Sequence, residues 1–189
     1  MESPTAKSLR VLIRVALCVS LAGGWSLHGT AYAAETDPPS LAVIVFELVD
    51  DQPDPARAQQ LQVRLGAIKA QLEQGLQTRG LYRIVDTAPA RDLIDAAVER
   101  HTFVHRCNGC LDEIGARLGS RLVAVGWVQR VSELILNINV SVREAQTDRE
   151  VLVKSVDLRG NTDETWARGV NFMLRDWAER RERNPRYGQ

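Results

Sequence analysis

Neither sign of charge is in excess: 24 Lys and Arg stand against 24 Asp and Glu, and this near-neutrality argues against electrostatic binding to nucleic acid. Neither Walker A nor G-x-G-x-x-G occurs, which removes two common phosphate-cradling loops. Proline is missing between Cys110 and Pro185. A thioredoxin-like domain sets a cis-proline against its dithiol, so that fold is disfavoured. Histidine and cysteine are scarce, at three each, which leaves few general bases. Ser132, Ser141 and Ser155 lie in strand-like segments without a nucleophile elbow. The expectation is a protein that is not an enzyme.

What is present begins with a leader. Lys7, Arg10 and Arg14 precede an apolar run from Val15 to Leu21, and small residues end at Ala31-Tyr32-Ala33. A basic region, a short apolar region and an A-x-A site mark a cleaved secretory peptide. The run is far shorter than the roughly 20 residues that span a bilayer. No transmembrane segment is therefore expected in the mature chain. Residues 1–33 are read as the signal peptide, cleaved near Ala33, which predicts a periplasmic location. Cys18 leaves with it. Removing Lys7, Arg10, Arg14 and Glu2 turns the balance into 21 basic against 23 acidic groups, a net charge of −2.

Residues 34–40, with Pro38-Pro39, read as a linker, and residues 41–179 as a single domain. Leu41-Ala-Val-Ile-Val-Phe46 is a continuous apolar run of strand length, suited to burial on both faces. Asp54-Pro55 offers an N-cap and a first-turn proline. Leu61, Leu65, Ile68, Leu72 and Leu76 form one helical face, with Gly80 as the stop. Leu81 to Val85 reads as a second strand. Ala88-Pro89 opens a helix expected to bury Leu93, Ile94, Ala97 and Val98. Strand, helix, strand, helix implies parallel strands with right-handed crossovers. A short helix carrying Leu111, Ile114 and Leu118 ends at Gly119, and Arg121 to Val128 is a third strand. Glu133 to Arg143 alternates, with Leu134, Leu136, Ile138, Val140 and Val142 on one face. Ile135, Asn137, Asn139, Ser141 and Arg143 fall on the other, as in a half-exposed antiparallel strand. The polar residues Asn137, Asn139, Ser141 and Arg143 are the candidate partner surface. Glu150 to Leu158 is a fifth strand. Asn161 and Glu164 suggest a capping box before a helix whose stripe includes Trp166, Val170, Met173, Leu174 and Trp177. Residues 180–189 read as a basic flexible tail.

The remaining chemistry lies in ten residues, His101-Thr-Phe-Val-His105-Arg-Cys107-Asn-Gly-Cys110. It supports three readings. Two cysteines in an exported chain suit a structural disulfide between Cys107 and Cys110, closed by the Asn108-Gly109 turn. Cys110 at a helix start also suits a redox-active thiolate. His101, His105, Cys107 and Cys110 together offer four ligands for zinc or copper, although their spacing is cramped beside standard structural zinc sites. On the first reading there is no cofactor, and the histidines are surface residues at a helix end.

Two segments carry a family likeness: Cys107-Asn-Gly-Cys110 with its following helix, and Val125 to Asn139 continuing to Ser155–Trp166. Together they resemble a family of exported bacterial proteins of unknown function, over about Leu41 to Trp177. More distantly the chain is similar to the amino-terminal domain of TolB and the curli-secretion lipoprotein. The shared plan is the Ala-Val-Ile-Val-Phe strand, the Gly-Leu-Tyr-Arg-Ile-Val-Asp segment and Leu-Gly-Ser-Arg-Leu-Val-Ala-Val-Gly. The resemblance implies an α/β fold with a mixed five-stranded sheet ordered 2-1-3-4-5. Helices pack that sheet, and an antiparallel meander forms its C-terminal half. It also implies a non-catalytic module that docks onto an envelope protein partner.

Overall fold

The computed structural model describes residues 37–189. The expected leader over 1–33 and the front of the linker lie outside the described residues. Strand β1 (Ser40–Asp50) takes the apolar run and buries it on both faces. Leu41 and Val43 enter one core cluster, while Ala42 and Ile44 enter the other. Helix α1 (Pro55–Thr78) starts where expected: the Asp54 carboxylate accepts the Ala56 N–H at 2.9 Å. It buries Leu61, Leu65, Ile68, Leu72 and Leu76. Strand β2 is only Arg83–Ile84, shorter than the expected Leu81–Val85. Leu81 and Tyr82 serve the core instead.

A single 3-10 turn at Ala88–Ala90 precedes α2 (Arg91–Arg100). This helix buries Ile94 and Ala97, but Leu93 is half-buried and Val98 is 47% exposed. Leu93 still packs against the margin of the core, so of the four apolar residues Val98 alone is turned out to solvent. Helix α3 (Cys110–Leu118) follows and ends at Gly119 in the left-handed region. Strands β3 (Leu122–Arg130), β4 (Leu136–Glu144) and β5 (Glu150–Leu158) form the meander, and α4 (Asp163–Arg183) closes the chain.

The sheet order is β2-β1-β3-β4-β5. Strand β1 runs parallel to β2 and β3, and β3, β4 and β5 are antiparallel. This is the expected mixed α/β sheet. Helices α1 and α4 cover one face through a cluster containing Trp166 and Trp177. Helices α2 and α3 cover β1 and β3 on the other. Where α4 crosses β5 the approach is close: a Cβ on Gly169 would lie 2.4 Å from a Leu158 methyl. Glycine is the residue that permits that contact.

Three local expectations are corrected. Leu134 and Ile135 belong to the β3–β4 loop and are 71% and 49% exposed, because β4 begins only at Leu136. The cap of α4 is Thr162, whose hydroxyl accepts from Thr165 N–H at 3.2 Å. Asn161 is used elsewhere: its side-chain oxygen accepts from Trp166 Nε1 and from Arg64. The segment expected as a flexible tail continues α4 to Arg183 and then folds back. The Tyr82 hydroxyl donates to Gly188 O, and Arg181 Nε donates to Tyr187 O at 2.6 Å.

Candidate functional site

The His/Cys segment joins α2 to α3 and packs against side chains of β1 and β3. Helix α2 stops at Arg100, so His101 takes extended backbone and His105 sits on a separate 3-10 turn, Val104–Arg106. The two histidines therefore do not share a helix face. Cys107 and Cys110 are joined as a disulfide with their Cα atoms 6.1 Å apart. Between them Gly109 has φ +83°, a left-handed conformation that a side chain would strain. Cys110 is the first residue of α3, and its N–H points at Cys107 Sγ at 3.2 Å.

The four proposed metal ligands divide. The ligand atoms of His101, Cys107 and Cys110 lie within 4.8 Å of one another. His105 turns away from them and is 7% exposed, which corrects the expectation of a surface residue. Its Nδ1 lies 2.8 Å from Glu47 Oε2, and its ring stacks on Trp127 with centroids 4.4 Å apart and planes 8° from parallel. Glu47 also accepts the N–H of Val104 at 2.6 Å and of His105 at 3.1 Å. One carboxylate on β1 thus satisfies three donors of the cysteine loop. Neither Glu47 nor Trp127 was singled out by sequence reading. They lie far from the cluster along the chain, and only the β1–β3 pairing sets Glu47 beside Trp127.

The polar residues of β4 are drawn inward. Asn139 and Ser141 are 8% and 7% exposed, because β4 is an interior strand with Trp127 beside Asn139 on one side and β5 on the other. Asn139 donates to Asn137 at 2.6 Å and Ser141 to Glu150 at 2.9 Å. Arg143 pairs with Asp148 at 2.9 Å. The accessible part of the candidate surface reduces to Asn137 and Arg143. Nearby, burial pushes the Asp112 carboxyl above its ordinary value, the Asp148 charge adds to the rise and Arg143 opposes it.

A family of proteins of unknown function, DUF3280 (DUF2380), matches residues 39–177. The chain belongs to that family. The match agrees with the Leu41–Trp177 span read from the sequence. No curated protein matches the chain. Among solved structures, the chain is similar to the C-terminal domain of LpoB from Salmonella enterica, at 11% identity over 65% of this chain and 84% of that one, with a TM-score of 0.46. Lipoprotein GNA1162 from Neisseria meningitidis aligns at 15% identity over 78% of this chain and 98% of its own, also at 0.46. TolB from Acinetobacter baumannii aligns at 11% identity, over 78% of this chain but 29% of its own, at 0.44. Likeness at this level carries no argument about activity. Among the described residues, no helix is long and apolar enough to cross a membrane.

Proposed function

We propose that the domain is a non-catalytic binding or assembly module of the cell envelope, exported to the periplasm, with the Cys107–Cys110 bond clasping the α2–α3 connection. The observation that carries this reading is the open side of the sheet. Strand β5 is nine residues long and, among the described residues, pairs only with β4, so one whole row of its backbone groups faces outward. Such an edge is a ready template for another chain. The β5 face turned away from α4 leaves Val153, Ser155 and Asp157 exposed. Export rests on the leader features of residues 1–33. In-cell crosslinking followed by affinity capture from the native envelope tests the reading. Reproducible co-purification of an envelope protein is the expected result; a lone monomer sinks it.

A second reading, thiol-redox or metal handling, is favoured by His101, Cys107 and Cys110 lying within 4.8 Å of one another. A dithiol reductant would supply two electrons and two protons, opening the Cys107–Cys110 bond to two thiols and leaving as its own disulfide. Zinc or copper bound afterwards would displace those two protons onto solvent, with His101 as third ligand and His105 held apart by Glu47. Elemental analysis of the protein before and after reduction, with His101→Ala as control, decides it. Stoichiometric metal lost in the variant supports this reading; metal-free protein in both states ends it.

A further inference from the structure

We propose that the groove between β5 and α4 takes an acidic, extended peptide segment of a partner, which adds to the sheet as a sixth strand beside β5. This rests on the reading of the domain as a binding module and names the chemistry of what it binds. The groove encloses about 660 Å³. Its floor is the C-terminal half of β5, with Val156 and Leu158 supplying apolar surface, and its wall is the flank of α4. Arg159, Arg168 and Arg175 converge on it, against one acidic lining residue, Asp157. Among the described residues none of these three arginines is in an ion pair. Arg168 donates only to the Thr165 hydroxyl, at 3.3 Å, and Arg175 lies over the Phe172 ring at 5.5 Å. Phe172 itself is 52% exposed.

Each part has a role in strand addition. The outward row of β5 N–H and C=O groups supplies backbone hydrogen bonds, and the pockets beside it choose among side chains. Side chains of an added strand alternate between faces, so those turned toward α4 meet Phe172 and the arginines. Apolar and acidic residues on that face match both. The opposite edge of the sheet offers no equivalent, since β2 is two residues long. Proteins commonly guard an edge with an inward-pointing charge. Here Lys154 is that charge, but it is already neutralised by Asp176 on α4 and so does not bar addition. Charge also selects a different molecule over a second copy of this chain: pairing two β5 edges would bring six arginines into one interface.

The test uses the mature chain and a short synthetic peptide alternating Glu and Val. Controls are the same peptide with Gln for Glu, and one N-methylated along a single edge. Fluorescence anisotropy reads affinity, and amide hydrogen exchange reads protection of β5. The expected result is binding that protects Ser155–Leu158 and weakens about tenfold or more in the Gln peptide, the N-methylated peptide and the Arg168→Glu/Arg175→Glu variant. Those arginines are on the surface, and unchanged thermal unfolding verifies that the variant folds; Phe172→Ser should weaken binding independently. Absence of binding, equal affinity for the Gln peptide, or protection of β5 by self-association overturns the proposal. If the crosslinked envelope partner is captured equally by wild type and the double-arginine variant, the groove fails while the module reading stands. If the acidic peptide binds as expected but no envelope partner is ever captured, the module reading fails and the groove stands.

Discussion

Glu47 holds the cysteine loop to the sheet by accepting from Val104 N–H, His105 N–H and the His105 ring. Removing a buried acceptor leaves its donors unsatisfied, which costs more than the bonds themselves contribute. Glu47→Ala is therefore expected to lower stability by about 2 to 4 kcal/mol, read as a shift of the urea midpoint at constant slope. The disulfide beside it closes a loop too short to constrain the unfolded chain much. Replacing both Cys107 and Cys110 by Ser should cost about 2 kcal/mol or less. The same urea titration would show the carboxylate to matter at least as much as the sulfurs; a larger loss from the serines would refute this. Sequence reading found the sulfurs because they are neighbours, and it grouped His105 with them for the same reason. Glu47 and Trp127 were illegible because nothing local connects residue 47 to residue 105.

At the scale of elements, α4 is fastened to β5 partly by a buried charge. Lys154 is 6% exposed and reaches Asp176, whose carboxyl is held below its usual range chiefly by the hydrogen bond from Lys154. Removing one partner of a buried pair strands the other charge, whereas replacing it with apolar packing is often neutral. Asp176→Ala should cost roughly 3 kcal/mol, and adding Lys154→Met should recover most of that loss, as measured by a double-mutant cycle in thermal unfolding. Because the Asp176 pKa is depressed, its share of stability is present above the ordinary carboxylate range and disappears as pH falls through the lowered value. Single-variant losses that simply add would show that the pair contributes nothing. Sequence alternation correctly marked β4 as a strand with one polar face. It placed Asn139 and Ser141 in the open because alternation shows which face a residue takes. It does not show how much the flanking strands shade that face.

Over the whole molecule, the C-terminal segment is locked to the α1–β2 connection. Tyr82 follows α1, is fully buried, donates to Gly188 O and packs edge-on against Trp177 at 5.6 Å. Burial, the largest influence, raises its pKa to about 12 even though the Arg181 charge opposes the rise. An unfolded tyrosine ionises near pH 10. The group's contribution is thus fully present below about pH 10 and drains away up to about pH 12, a loss of about 3 kcal/mol. Alkaline unfolding followed by circular dichroism should show that loss and should lose much of its slope in Tyr82→Phe. An unchanged alkaline profile in the variant would contradict it. Reading residues 180–189 as a flexible tail failed for a related reason. Its arginines look solvated in sequence, yet Arg181 turns back onto Tyr187 and Gly188.

Apolar period and punctuation alone determined the strands, helices and parallel-then-antiparallel plan. Both signals are local: side-chain repeat selects the element, while Asp54-Pro55 and Gly119 fix where elements start and stop. The order of strands came from likeness to relatives, and the fold agrees with it. Only the tertiary structure decided which cluster members meet, because it carries Glu47 to the cysteine loop and draws His105 away from Cys107 and Cys110. Only it set three arginines beside a bare strand edge, since Arg159, Arg168 and Arg175 converge through the packing of α4 on β5. Contacts between distant segments have no periodicity to read; they exist once the sheet is assembled.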